Sequence, residues 1–378
     1  MKKNKLVNAS FILGFTLLIL AQISFSLTDI IELLRPVDFI HWTLLLGCVF
    51  VIPGALSLNK GIFSKIGLPL TLIGIITSIG MCVIDFVLWS YNGNQDARND
   101  MYFHLVNQPA IWPVFISVGP TFFFTGFTIQ SYDYTKTNLK EVLSVNIGAI
   151  LVALGGLILP RDYHYIMVIG YAIFAIGNIL LVLKQSNVNL KYNHLYPKLF
   201  VAGLLFEALG QLLLSRGIEF VYALRPIDFA HWSLFIGVSL MIPQLIQFPK
   251  SIFTYIGIPV IMIGIVSILG MCVLDFIWWS QPTQDIRNQL GSHLYKFPSI
   301  WKPFISTGPN FINVGLFILA LNYFKANKIG VTLVILATLT VFFGRFIPSR
   351  LIYVYTITAI GYGLIFFNSK IKNEHQTQ

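Results

Sequence analysis

Apolar and polar positions separate along this chain in blocks the length of whole helices. Apolar stretches run near 7–28, 38–57, 66–90, 111–130, 143–159 and 164–183. Six more lie near 197–214, 229–247, 254–280, 300–323, 328–347 and 350–368. A helix crosses a bilayer with roughly 20 apolar residues, so the pattern predicts an all-α integral membrane protein of about twelve transmembrane helices. The first stretch follows Lys2, Lys3 and Lys5, as a secretory signal would. Its pattern recurs at 197–214, with Gly14 matched by Gly203 and Gln22 by Gln211. An internal copy cannot be a cleaved signal, so a retained helix is expected.

The recurrence extends through the chain. RPVDFIHWTLLLGCVFVIP (35–53) and RPIDFAHWSLFIGVSLMIP (225–243) share ten of nineteen positions. IGMCVIDFVLWS (79–90) and LGMCVLDFIWWS (269–280) share eight of twelve. QDARN (95–99) then pairs with QDIRN (284–288), and IWPVFISVGP (111–120) with IWKPFISTGP (300–309). The pattern is a tandem duplication of a six-helix unit, with repeat 1 over 1–189 and repeat 2 over 190–378. Six is an even number, so the expected arrangement is two parallel repeats, 6+6, related by a pseudo-two-fold axis along the membrane normal.

Composition agrees with a lipid environment. Hydrophobic residues make up 56% of the chain and charged residues 11%, against about 25% charged in a soluble domain, and mean hydropathy is +0.76. The net charge of +10 is distributed by topology. With twelve spans, fifteen lysines fall in one set of connections. The opposite set holds Lys296, Lys302 and all eight arginines: Arg35, Arg98, Arg161, Arg216, Arg225, Arg287, Arg345 and Arg350. The lysine-rich side is read as cytoplasmic, which puts both termini inside a multi-pass protein of the cell membrane. Its basic residues suit anionic lipid headgroups, and no nucleic-acid footprint is present. Cys48, Cys82 and Cys272 lie inside spans, which argues against a disulfide framework.

The polar residues kept in both halves gather toward the extracytoplasmic side. Arg35 and Asp38 open the second span, His41 sits one turn in, and Asp85 lies in the last turns of the third. Gln22 approaches from the first span. A roughly 20-residue outer loop (loops of that length often carry function) brings Asp96, Arg98 and His104, and Ser117 follows in the fourth span. The mates in the second half are Gln211, Arg225, Asp228, His231, Asp275, Asp285, Arg287, His293 and Ser306. Several have plain structural readings. Asp38 suits the first turn of a helix after Pro36, and Trp42, Trp89 and Trp112 suit an interfacial aromatic belt. Asp85 resists such a reading, because an ionised carboxylate inside an apolar helix costs a few kcal/mol unless paired.

Two chemistries fit this cluster. Arginine forks and histidines can hold a small polar or anionic ligand that Asp85 orients. Alternatively Asp38, His41, Asp85 and His104, with Asp228, His231, Asp275 and His293, can supply ligands to a divalent metal. Haem on a histidine pair is less favoured, since no C-x-x-C-H motif is present. No Walker loop, GxSxG elbow or GxGxxG fingerprint occurs. Span centres are expected to offer little beyond Thr, Ser and Asn178, with no central acid or base. That weighs against ion-coupled transport and leaves uniport of a neutral solute. Three functions stay open: ligand binding at a duplicated Asp/His/Arg site, small-molecule transport, and catalysis at the outer face.

Overall fold

The computed structural model of the chain describes residues 2–27, 37–185, 192–344 and 346–367. Every regular element among them is helical. Arg35 and Pro36 lie outside the described residues.

The chain divides into two compact units, 1–190 and 191–378. The first contains α1 (Lys2–Ser26), α2 (Phe39–Ser57), α3 (Ile62–Ser90), α4 (Gln95–Val106), α5 (Thr121–Ser131), α6 (Leu139–Ala153) and α7 (His164–Lys184). α1 packs on α2, α2 on α3, α3 on α5, α5 on α6 and α6 on α7, and α7 returns to α1. The result is a closed ring of six helices, with α4 standing outside the cycle.

The second unit contains α8 (Leu195–Leu214), α9 (Ile218–Ala223), α10 (Phe229–Met241), α11 (Ile252–Ser280), α12 (Gln284–Tyr295) and α13 (Pro298–Trp301). α14 (Phe311–Ala320), α15 (Lys328–Phe343) and α16 (Arg350–Phe367) complete it. Its cycle runs α8, α10, α11, α14, α15, α16 and back to α8. The order of neighbours is that of the first unit.

Among the described residues, ten helical stretches are long and apolar enough to cross a membrane, not the twelve expected. The fourth expected span is broken. A π-helical turn, Pro113–Ser117, ends at Val118, and α5 starts only at Thr121. Pro113 and Pro120 donate no backbone hydrogen bond. At the bend between them, a Cβ on Gly119 would come within 1.8 Å of the Val114 carbonyl oxygen. The other departure is α15, an apolar helix of only 16 residues.

Where α3 meets α5 the backbones nearly touch. A Cβ on Gly74 would lie 1.9 Å from the Phe123 nitrogen, so this crossing requires the smallest residue, as close helix pairs in membranes do. Outward-facing positions stay apolar, with Leu143, Ile147 and Ile150 of α6 all exposed. Such a surface fits contact with lipid tails.

One device pins the end of each unit away from Asp85 and Asp275. The Asp133 carboxylate, just after α5, accepts from the backbone N–H groups of Gly61, Phe63 and Ser64 at 2.7–3.2 Å and from the Ser64 hydroxyl. It thereby caps the start of α3 from about 70 residues away in sequence. In the second unit the hydroxyls of Ser251 and Thr254, at the start of α11, donate to the Asn322 side-chain oxygen.

Candidate functional site

The start of α2 and the end of α3 meet around one histidine. Asp38 is the residue just before α2 and caps it, its Oδ1 accepting from the His41 N–H at 3.1 Å. The cap displaces the sequence expectation slightly, which had Asp38 inside the first turn. Its other oxygen, Oδ2, lies 2.5 Å from His41 Nδ1. The opposite face of the ring presents Nε2 to Asp85 Oδ2, from α3, at 3.3 Å. His41 is thus held between two carboxylates.

The second unit builds the same group. Asp228 caps α10 by accepting from the His231 N–H at 3.1 Å, and its Oδ2 lies 2.5 Å from His231 Nδ1. His231 Nε2 faces Asp275 Oδ2 on α11 at 3.3 Å. Asp38 and Asp228 are buried, while the Asp85 and Asp275 side chains keep 28% and 23% of their surface accessible. The inner carboxylate of each group is therefore structural, and the outer one is open to a visitor.

An imidazole with acceptors at both nitrogens is either the doubly protonated cation or takes a proton from one carboxyl. Both arrangements hold the same number of protons and leave each Asp–His–Asp group with one net negative charge. Aromatic rings fix it in place. Trp42 stacks on Phe86 at 5.0 Å, beside Asp85, and Phe25 meets the His41 ring at 5.0 Å. Trp232 stacks on Phe276 at 4.8 Å in the same way. Trp89 and Trp279 are buried. These four indoles pack inside their units, in place of the interfacial belt anticipated for Trp42 and Trp89.

The outer loop proves to be helical. α4 carries Asp96, Arg98 and His104, and its start is capped by Asn94, which accepts from the Ala97 N–H. Arg98 lies within electrostatic reach of both His41 and Asp85. Asp96 is exposed in the first turn, and His104 is half-buried in the last. Burial lowers the pKa of His104 below its usual value. Ser117 and Ser306 are exposed at the ends of their π-helical turns, and Gln22 is buried in α1.

The second unit arranges its arginines differently. Arg287, on α12, donates to the carbonyl oxygens of Trp278 and Gln281 at 3.2 and 2.7 Å, and its guanidinium sits 3.7 Å above the Tyr222 ring. It caps the end of α11. Arg225 lies over the Trp279 ring at 4.5 Å. Asp285 is exposed at the start of α12, Gln211 is half-buried in α8, and the His293 ring lies 5.2 Å from Phe297.

Among the described residues no group of three His, Cys, Asp or Glu side chains is arranged to hold a metal ion. With both ring nitrogens of His41 and His231 facing carboxylates, neither offers a lone pair to a metal or to haem iron. The metal expectation for Asp38, His41, Asp85 and His104, and for Asp228, His231, Asp275 and His293, is not carried forward.

The sequence reading also overlooked an acid. Glu207 sits in the body of α8, a candidate span, and is 1% exposed. The expectation of span centres free of acids is therefore corrected. Compared with known proteins, the chain matches no family model, no curated protein and no solved structure.

Proposed function

We propose that this multi-pass protein binds a small polar or anionic ligand at two equivalent Asp–His–Asp sites, one in each half. The observation that carries this reading is the recurrence of one geometry, 2.5 Å and 3.3 Å on either side of a histidine, in both units. Capping alone needs only the inner aspartate. The outer carboxylates, inside apolar helices, add a cost that packing would avoid. Asp85 and Asp275 offer an accessible acceptor, and Arg98 adds a cation beside the first of them. A ligand with a hydrogen-bond donor for the carboxylate and an acceptor or anionic group for the guanidinium matches that pair.

In this reading the two units are duplicated six-helix repeats, and the broken fourth and short eleventh segments complete twelve crossings. Both termini are cytoplasmic and both sites open to the extracytoplasmic side. The shared order of helix packing and the excess of lysine on one side support this arrangement.

Transport of a small solute is the second reading. Glu207 favours it, because a buried acid inside a span is the kind of residue that ion-coupled transporters use, and its presence removes the argument made above against coupling.

The test is thermal stabilisation of the purified protein by amino acids, dicarboxylates, polyols and inorganic phosphate. At least one class should raise the melting temperature of the wild type and fail to do so in an Asp85→Asn/Asp275→Asn double variant. No stabilisation of the wild type, or equal stabilisation of the variant, would overturn the proposal. Uptake of the stabilising compound into proteoliposomes would select the transporter.

A further inference from the structure

Glu207 occupies a notch that the fold provides in both units. A Cβ on Gly237 of α10 would come within 2.8 Å of Glu207 Oε1. In the first unit a Cβ on the equivalent Gly47 would come within 2.8 Å of Leu18 Cδ2. Leu18 and Glu207 correspond in the internal alignment, each four residues beyond the matched pair Gly14 and Gly203. A leucine therefore fills this space without difficulty, and packing does not call for an acid.

The acid is poorly provided for. Its Oε1 is buried and has no hydrogen-bond partner. The ionisable groups that reach it are a thiol, a phenol and acids, with no cation among them. Cys272, on α11, is within electrostatic reach of Asp275, Glu207 and Asp228. Tyr355, on α16, is within reach of Glu207 and Cys272 and is hydrogen-bonded by the Asn313 side chain from α14. α10 contributes the Gly237–Val238 backbone, with Asp228 and His231 at its outer end. A bare carboxylate in such surroundings is strongly disfavoured, whereas the neutral acid brings its own donor.

Depth links this residue to the site described above. Glu207 lies seven residues before the end of α8, and Cys272 eight before the end of α11. At 1.5 Å per residue both are about 10–12 Å below that end, roughly one turn deeper than Asp275. Cys272 stands between them.

We propose that Glu207 is a proton-binding site in the body of the second unit, occupied as the neutral acid and coupled electrostatically to the Asp228–His231–Asp275 group. Two carboxylates that share an apolar interior cannot both be ionised cheaply, so a proton held at Glu207 favours negative charge at Asp275, and the reverse. The second half then carries a proton-responsive element that the first half, with Leu18, lacks. This goes beyond the ligand-binding reading and does not require any ligand to be found.

Infrared pH titration of the full-length protein in lipid nanodiscs tests it. At neutral pH the wild type should show the carbonyl stretch of a protonated carboxylic acid, and Glu207→Gln should lose that component. Glu207→Leu, which reproduces the notch of the first unit, should fold, lose the same component and melt no lower than the wild type. In Asp275→Asn the Glu207 component should titrate at lower pH, because a negative neighbour has been removed. Absence of a Glu207-dependent acid band at neutral pH would overturn the proton site. A titration midpoint unmoved by Asp275→Asn would overturn the coupling.

Discussion

At the scale of single residues, each aspartate that precedes a histidine performs two tasks that substitution can separate. Asp228 is buried, accepts from the His231 backbone N–H, and faces His231 Nδ1. Asparagine keeps an acceptor for the cap, whereas alanine loses the cap and strips a buried imidazole of its partner. A lost cap costs about 1 kcal/mol, and an unsatisfied buried polar group costs about 1–3 kcal/mol more. Asp228→Ala should therefore destabilise the protein by about 2–4 kcal/mol and Asp228→Asn by clearly less, as read from chemical denaturation of the solubilised protein. Equal losses would show that the cap matters and the imidazole contact does not. The members of this group were legible in the sequence because charged residues recur at matched places in otherwise apolar stretches. Glu207 was not legible by the same route. Comparing two halves reveals what both retain, and it conceals an acid whose counterpart is Leu18.

At the scale of elements, the third helix of the first unit starts from a cap supplied by a distant residue. Three backbone donors and one hydroxyl converge on the Asp133 carboxylate. Without it the first turn of α3 has no side-chain acceptor from its own cap position, which is Gly61. Asp133→Ala should lower stability by about 2–3 kcal/mol, since hydrogen bonds to a charged group contribute about 1.5–3 kcal/mol each and are only partly replaced by water. Asp133→Asn should recover part of the loss, as Asn322 serves the corresponding place in the second unit. A melting temperature unchanged in Asp133→Ala would refute the role. Apolar length was enough to find most spans, yet it could not find this cap, which joins positions about 70 residues apart. The break in the fourth segment had a visible signal in Pro113, Gly119 and Pro120. Hydropathy averaged over the whole segment hid it.

At the scale of the whole molecule, the reading of twelve crossings rests on two segments that fall short of an uninterrupted span. The fourth is interrupted between Ser117 and Thr121, but the π-helical turn and α5 together cover the same stretch that runs from Pro298 to Tyr323 in the second unit. Backbone irregularity at membrane depth is tolerated where protein surrounds it, and α3 packs closely on both the π-helical turn and α5. The eleventh, α15, has 16 residues and so spans about 24 Å, against a hydrocarbon core of about 30 Å. Local thinning of the bilayer and snorkelling of the lysine at its start can accommodate such a deficit, and Lys328 stands at that start. If both segments cross, reporters at Thr135 and Ala326 should read cytoplasmic, and those at Asn94 and Ser349 extracytoplasmic. Each pair brackets one doubtful segment, so the two are judged separately. Thr135 on the same side as Asn94 would remove the fourth crossing, and Ser349 on the same side as Ala326 would remove the eleventh. Loss of either one alone would reverse every later connection, so the two Asp–His–Asp groups could no longer be assumed to face the same compartment. Asn94 on the cytoplasmic side would move the first group inside the cell and overturn the orientation drawn from the lysines.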